Sequence, residues 1–511
     1  MLPTRFSEAR LARRLAPALW LSVLVPLVAF AAEQQPAPQA EPQSASQPKP
    51  QDVQGIEAAV AIEQALVQVI AAREHSVVSI GMFRTDPDPL LRDGFHPTQS
   101  PPSLDDIPDA FATGVVVDQR GLILTCAHAL KERTTTFVRF AGNPVWWHTR
   151  VRASDPYSDL AVLEIVNSKA VIEQVKPQPM TLGDAGSLRK GQLVITLGNP
   201  YAIARDGEVS AGWGIVSNLR RKAAPLEGNM PLKNTRPTLH HLGTLIQTDA
   251  KLNLGTSGGA LLNLKGEMVG LTTSMAALSG YEKSAGYAIA VDKTFLRVLK
   301  ELKEGREVEY GFLGVGLDDL PSYQRTAGET GVQIARVIAG GPSEGRLDRD
   351  DVITHINGQP ILTVTDVMLA VSQLAPDNPI RFRVLRTSDF EPRPRVETVH
   401  LTKKYIEGKR IVTRPRTAWR GIRVEYTAAF QPLYADARIE PGVTVTEILS
   451  DTAAASTGLE VGRRITHVDG VAVNSPVHFL RAVENRKGPV RLSIEPEADS
   501  VVVPQPTADG G

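Results

Sequence analysis

The sequence predicts a mainly β chain built from several domains. Three observations carry this. Short runs of Val, Ile and Leu recur between turn residues, with 41 glycines and 37 prolines in 511 residues. The C-terminal part repeats a strand-and-turn pattern in the same order. At roughly 150 residues per domain, the length leaves room for about three or four domains.

Composition removes several function classes. Lys+Arg and Asp+Glu both number 56, so the net charge is zero. That argues against nucleic-acid binding by bulk positive charge, and no nucleic-acid partner is expected. An apolar fraction of 42% and a charged fraction of 22% exclude wholesale disorder. Cys126 is the one cysteine, which excludes an internal disulfide framework and any multi-cysteine metal site.

The N-terminus predicts export. Arg5, Arg10, Arg13 and Arg14 precede an apolar run over residues 15–30, and Ala29-Phe30-Ala31 offers a cleavage site. Residues 1–31 read as a signal peptide. The run is short for a spanning helix and holds Pro17 and Pro26; an uncleaved anchor is the alternative. Export without cysteine pairs suits a bacterial periplasm. No other stretch reads as long and apolar enough to span a bilayer. Residues 32–54 are rich in Pro and Gln and form a flexible linker.

A folded unit is expected over 55–306. Residues 56–73 read as a helix with Ile62, Leu66, Val69 and Ile70 on one face. Strands follow. Residues 115–117 and 122–124 form a hairpin around Asp118-Gln119-Arg120-Gly121. Residues 193–197, 214–216 and 244–247 read as strands, and 260–264 with 267–272 as a second hairpin. Asp292 caps a helix carrying Phe295, Leu299 and Leu302 on one face, stopped by Gly305. Two segments match nothing placed so far: a proline-rich insertion at about 85–110 and a long basic stretch at 220–241. Both read as solvated surface loops; the family resemblance given below implies regulatory or oligomer-contact loops instead.

The repeat comes next. Phe312-Leu313-Gly314-Val315 recurs as Trp419-Arg420-Gly421-Ile422, and Gly331-Val332 as Gly442-Val443. Ile353-Thr354-His355-Ile356-Asn357-Gly358 recurs as Ile465-Thr466-His467-Val468-Asp469-Gly470. Two copies of one domain, at 307–403 and 417–505, account for it, with a basic linker at 404–416 and a tail at 506–511.

Three segments carry chemistry. His128 follows a strand, Asp159 begins one, and Ser257 sits in the glycine-rich turn Gly255-Thr256-Ser257-Gly258-Gly259. The order His, Asp, Ser is that of the chymotrypsin-type triad. A serine hydroxyl needs an adjacent base, and imidazole, with a reference pKa near 6.5, can take and return a proton at neutral pH. A carboxylate fixes the imidazole tautomer. The glycines let the amides of Gly255 and Ser257 aim at one developing oxyanion. Singly these are weak signals: a histidine after a strand or a glycine-rich turn is usually structural. Their conjunction on a β background is what points to acyl transfer.

Cys126 reads as a small core residue, because Ser257 already occupies the nucleophile turn. No metal or cofactor is expected. The histidines contain no H-E-x-x-H, and His240 and His241 would point apart on a strand.

Together these stretches resemble the HtrA/DegP family of exported serine proteases. The matching segments include GLILTCAHAL, DPYSDLAVLEI, LIQTDAKLNLGTSGGALLNLKGEMVGLTT and GYAIAV. The resemblance implies a chymotrypsin-like double β-barrel protease domain followed by two PDZ (α+β) domains. It assigns His128 as general base, Asp159 as its orienting acid and Ser257 as nucleophile, with Gly255 and Ser257 supplying the oxyanion hole. Thr256 and Cys126 depart from the asparagines usual in the family. Lys251, Leu252, Asn253 and Leu254 would line the primary pocket. Leu252 favours small or medium aliphatic residues there, whereas Lys251 reaching inward would favour an acidic one.

A PDZ domain takes a peptide as an added strand and holds its terminal carboxylate on backbone amides. Phe312, Leu313, Gly314 and Val315 resemble that loop in the first copy. The second copy either binds peptide too or contacts neighbouring subunits. The resemblance implies a periplasmic endopeptidase of protein quality control acting on misfolded or unfolded polypeptides, assembled as a homo-trimer or a multiple of trimers. A peptide-binding chaperone, or a regulatory protease with few substrates, remains the alternative.

Overall fold

A computed structural model describes residues 50–85, 102–103, 106–199, 207–223, 237–273, 285–386, 393–430, 438–496 and 499–505. The expected signal peptide, most of the linker after it, the tail, most of the 85–110 insertion and the middle of the 220–241 stretch lie outside these residues.

Six strands close the first barrel. They are β1 (Val77–Arg84), β2 (Ala110–Val116), β3 (Ile123–Cys126), β4 (Thr134–Phe140), β5 (Trp147–Asp155) and β6 (Leu160–Ile165). Their order is β5-β4-β1-β2-β3-β6, and β5 pairs back onto β6. The hairpin expected around Asp118 joins β2 and β3 in the register Val115↔Leu124 and Val116↔Ile123. The proline-rich insertion connects β1 to β2, which pair as Met82↔Ala110.

The second barrel holds β7 (Leu193–Gly198), β8 (Ser210–Arg221), β9 (Leu245–Thr248), β10 (Ala260–Leu262), β11 (Met268–Thr273) and β12 (Gly286–Ala290). It closes in the order β10-β11-β12-β9-β8-β7. Closure removes the long open edges that flat sheets would present. Every residue of β3 and β11 is buried. One apolar core runs through both barrels, from Leu124, Cys126 and Leu160 to Leu197, Ala260 and Leu271. The strand expected at 214–216 is far longer. Its flanks in β8 are largely exposed and carry no apolar run, so apolar content reveals only its middle.

The N-terminal helix runs Pro50–Arg73, beginning earlier than expected. Leu66, Val69 and Ile70 pack against the barrel core, but Ile62 is exposed. The segment Gly55–Ser76 is long and apolar enough, by length and composition, to cross a membrane. That corrects the expectation that no stretch beyond the N-terminal run qualifies; Glu57, Glu63 and the small alanines dilute its apolar character to the eye. The helix Lys293–Lys303 matches its expected signals. The Asp292 carboxylate accepts the Phe295 amide at 2.8 Å, and Gly305 ends the helix at φ 75°.

The two repeats fold alike. Copy one orders its strands Val315–Asp319, Val332–Val337, Val352–Ile356, Pro379–Leu385, Pro394–His400. Copy two follows with Ile422–Tyr426, Val443–Ile448, Arg464–Val468, Val490–Glu495, Asp499–Val503. Each has its own apolar core. The repeated Asn-Gly and Asp-Gly pairs are two-residue hairpin turns with both φ positive: Asn357 and Gly358 at 48° and 82°, Asp469 and Gly470 at 46° and 80°. This turn demands those residue types, which is why the repeat is legible.

The basic segment between the copies is not a loose connector. Ile411–Val412 adds a seventh strand beside β5, pairing Ile411↔Ser154 and Val412↔Ala153. The amides of Thr413 and Arg414 donate to Gly305 O at 3.1 and 2.8 Å. An ionic clasp around the buried Lys403 lies alongside. The Lys403 ammonium meets Glu307 at 2.8 Å, Glu309 at 3.0 Å, and Glu425. Arg410 pairs with Glu307 and Arg416 with Glu309. Burial opposes ionisation of Glu309, but the Lys403 and Arg416 charges outweigh it and hold its carboxyl below the usual range.

Candidate active site

The candidate residues lie where the two barrels meet. His128 sits on the single 3₁₀ turn Ala127–Ala129 that ends β3, and Asp159 immediately precedes β6, the partner of β3. The pairing Cys126↔Leu160 therefore brings the two chain segments side by side. The Asp159 carbonyl accepts the Ala127 amide at 2.8 Å. One Asp159 carboxylate oxygen accepts the His128 backbone N–H at 2.8 Å, and the other lies 2.7 Å from His128 Nδ1. A carboxylate only accepts, so Nδ1 carries the proton and Nε2 is left as the basic nitrogen. Asp159 is almost fully buried and adopts φ 57°.

Ser257 comes from the second barrel, in the turn before β10. Its carbonyl accepts the Thr113 amide at 3.0 Å, which stitches the turn to β2. The Thr113 hydroxyl donates to Gly255 O at 2.7 Å, and the Thr125 hydroxyl donates to Thr113 O at 2.7 Å. Thr125 lies three residues before His128 on the same strand exit. The turn abuts that strand so closely that a Cβ on Gly258 would lie 2.3 Å from Thr125 Oγ1.

Gly255 has φ 97°, and a Cβ there would lie 2.7 Å from both Asn199 O and the Phe111 ring. Only glycine fits this position. Asn199 is itself fixed: its amide donates to the Thr113 hydroxyl at 2.9 Å and its side chain to Ser79 at 2.7 Å.

A cavity of about 360 Å³ flanks this turn. Lys251, Leu252 and Asn253 line it, with Gly212, Trp213 and Thr256. Leu254, the fourth expected lining residue, is not among them and is 61% exposed. Its neighbour Gly255 turns the chain sharply, and Leu254 faces outward. Leu252 also meets β12: its Cδ1 lies 3.1 Å from where a Cβ on Gly286 would be. β8 contributes Ala211, Gly212 and Trp213 to this cavity, a stretch with no strand-like apolar run to mark it in the sequence.

Cys126 is fully buried, its thiol 3.5 Å from Thr272 O. Burial, with the Asp159 carboxylate nearby, pushes that thiol well up, so it stays protonated. His240 and His241 sit on the 3₁₀ turn Leu239–Leu242, not on a strand as expected. The polar Thr238 cap and Gly243 at φ 84° set that turn. His240 is fully buried; its Nε2 donates to Ser158 O at 2.9 Å and its Nδ1 accepts from the Thr244 hydroxyl at 2.7 Å. Burial lowers its basicity and keeps it neutral.

In the first repeat, Gly311–Phe312 pairs with Thr402–Lys403, and Gly314 adopts φ 74° beside Pro342. Leu313 is buried in that repeat's core, and the Gly314 carbonyl accepts the Ile338 amide at 2.9 Å as Val315 begins the next strand. The second repeat differs. There the Ile422 amide donates to Trp419 O at 2.8 Å and Trp419 N to Ile422 O at 2.9 Å, closing the loop on itself. The Trp419 ring stands edge-to-face with Phe479 on the neighbouring helix, 5.9 Å between centroids.

Comparison with known proteins agrees with this architecture. Residues 112–271 match the trypsin-like peptidase domain family, and residues 311–391 match the PDZ domain family. A protein of Ectopseudomonas mendocina described as "Probable periplasmic serine endoprotease DegP-like" is 29% identical over 388 residues, covering 73% of this chain and 74% of its own. The Escherichia coli "Periplasmic serine endoprotease DegP" is 24% identical over 398 residues, covering 77% of this chain and 76% of its own. These matches make the chain a serine endopeptidase similar to the HtrA-type proteases. The Escherichia coli "Periplasmic pH-dependent serine endoprotease DegQ" is 28% identical over 296 residues, or 55% of this chain and 59% of its own. Of the two residues that depart from the family pattern, Cys126 keeps its thiol within 4.8 Å of the facing His128 and Asp159 side-chain atoms, whereas Thr256 stays with its own turn. The Thr256 hydroxyl instead caps its own turn by donating to Asn253 O at 2.7 Å.

Proposed function

We propose that this chain is a periplasmic endopeptidase that degrades misfolded or unfolded envelope proteins through a serine ester, with Ser257 as nucleophile, His128 as base and Asp159 as orienting acid. The contact that supports this most is the 2.7 Å approach of Asp159 to His128 Nδ1 beside the Ser257 turn. His128 Nε2 takes the Ser257 hydroxyl proton as the oxygen attacks the peptide carbonyl. The amides of Gly255 and Ser257 receive the negative charge that develops on the carbonyl oxygen. The imidazolium returns the proton to the departing amine. Water then attacks the ester by the same route in reverse, releasing the acid and restoring Ser257.

Leu252 against Gly286 supports a pocket for small or medium aliphatic residues. Phe312, Leu313, Gly314 and Val315 of the first PDZ copy would hold a C-terminal peptide carboxylate. Export rests on the arginines and apolar run of residues 1–31, and agrees with the periplasmic relatives. The resemblance also supports assembly as a trimer or a multiple of trimers.

Degradation of a permanently unfolded model protein tests the reading. Wild-type protein should cleave it after small aliphatic residues, and Ser257→Ala should bind it without cleavage. Unchanged degradation by Ser257→Ala contradicts the nucleophile assignment. Binding without any wild-type cleavage points to a chaperone, and cleavage restricted to one folded substrate points to a regulatory protease.

A further inference from the structure

A buried carboxylate lies four residues before Asp159 and has no part in the chemistry above. Asp155 is 1% exposed. Removing an ion from water is costly unless hydrogen bonds replace the lost solvation. Three donors offset part of that cost: Asp155 Oδ2 accepts the Ser158 amide at 3.0 Å, the Ser158 hydroxyl at 2.6 Å and the Tyr310 hydroxyl at 2.5 Å. The first two bonds are local and close the tight turn that delivers Asp159. The third crosses from the start of the first PDZ copy.

Tyr310 is fully buried and locked on every side. Its ring stands edge-to-face with Tyr157, 4.8 Å away at 78°. The Arg297 guanidinium covers it at 5.1 Å. Its carbonyl accepts the Lys404 amide at 2.8 Å. Asp159 needs such support, because a non-glycine residue at φ 57° is held only by surroundings that over-determine it. His240 secures the opposite side of the same turn through Ser158 O.

We propose that Tyr310 is a positioning residue for the hydrolytic reaction. Its hydroxyl fixes Asp155, Asp155 fixes the turn through Ser158, and the turn sets the aim of Asp159 at His128. This rests on the roles given above to Asp159 and Ser257. Tyr310 lies two residues before Phe312, so one short segment serves both the Asp159 turn and the peptide-binding loop of the first PDZ copy.

The test compares full-length wild type with Tyr310→Phe and Ser158→Ala, each removing one hydroxyl that donates to Asp155. Steady-state cleavage of a soluble chromogenic peptide separates kcat from KM. A serine-directed phosphonate measures the rate of adduct formation at Ser257, and thermal melts establish that each variant is folded. Misaimed catalytic groups lower kcat and leave KM alone. We expect kcat and the adduct rate to fall roughly tenfold together in Tyr310→Phe, with KM within about twofold of wild type. Ser158→Ala should shift the same way and stands in if Tyr310→Phe does not fold. Wild-type kcat and adduct rate in the folded variants overturn the proposal, as does a loss that only matches the unfolded fraction. No Ser257 adduct in the wild type itself overturns instead the reading of Ser257 on which it rests.

Discussion

Asp159 grips His128 twice, at the backbone N–H with one carboxylate oxygen and at Nδ1 with the other, at 2.8 and 2.7 Å. The double grip fixes both ring position and tautomer. Asp159→Asn keeps the shape but offers only one accepting oxygen. If that oxygen stays on the backbone N–H, the amide NH₂ faces Nδ1 and favours the wrong tautomer. Turnover should fall by about 10⁴ in a protein that still melts near the wild-type temperature. A variant retaining full activity would show that the carboxylate does not orient the imidazole.

Gly255 should tolerate no side chain. Its φ of 97° and the 2.7 Å approaches to Asn199 O and Phe111 leave no space for a Cβ. Gly255→Ala must displace the turn that carries the two amides. Loss of one oxyanion donor lowers turnover by roughly 10²–10³. The same loss should appear in kcat/KM for a small peptide substrate, measured on protein shown to be folded by circular dichroism.

The two PDZ copies should differ in peptide binding. In the second copy the Ile422 amide already serves Trp419 O, and the Trp419 ring packs on Phe479. Titration calorimetry with a C-terminal peptide should give one site per chain. Trp419→Ala frees the loop and should raise the stoichiometry to two. Two sites in the wild type would contradict the closed-loop account.

The clasp around Lys403 should make the protein acid-sensitive. Glu309 titrates below its usual value in the folded chain, so the unfolded state binds the proton more readily. Its stabilisation is present above the reference value of 4.5 and is lost as pH falls through the folded value. Urea midpoints should decline below about pH 4.5, and Glu309→Gln should flatten that decline. Lys403→Met removes the central cation from three half-buried carboxylates, which keep only Arg410 and Arg416, and should lower the urea midpoint at neutral pH. An unchanged midpoint for Lys403→Met would mean that the clasp adds nothing to stability.

Much of this molecule is legible in its residues, for identifiable reasons. The hairpin around Asp118 and the repeated Asn357-Gly358 and Asp469-Gly470 turns are short-range structures that need particular residue types. The Asp292 cap and Gly255 are of the same kind. What stays hidden depends on partners far apart in the chain. Nothing near Tyr310 announces Asp155, and nothing in Ile411–Val412 announces β5. The exposed flanks of β8 lack the apolar alternation that reveals a strand, so nothing in the sequence marks Gly212 and Trp213 as part of the cavity wall. The family resemblance places Leu254 in the pocket together with Leu252, as part of the segment before Ser257. The turn at Gly255 separates them in space.

The central claim is that Ser257 is activated by His128. Labelling with a serine-directed phosphonate tests it most directly, using wild type, His128→Ala and Ser257→Ala, with the adduct located by peptide mass spectrometry. The account predicts a single adduct on Ser257 in the wild type, a far slower reaction in His128→Ala and none in Ser257→Ala. An adduct on another residue, or equal labelling of His128→Ala and wild type, would contradict it.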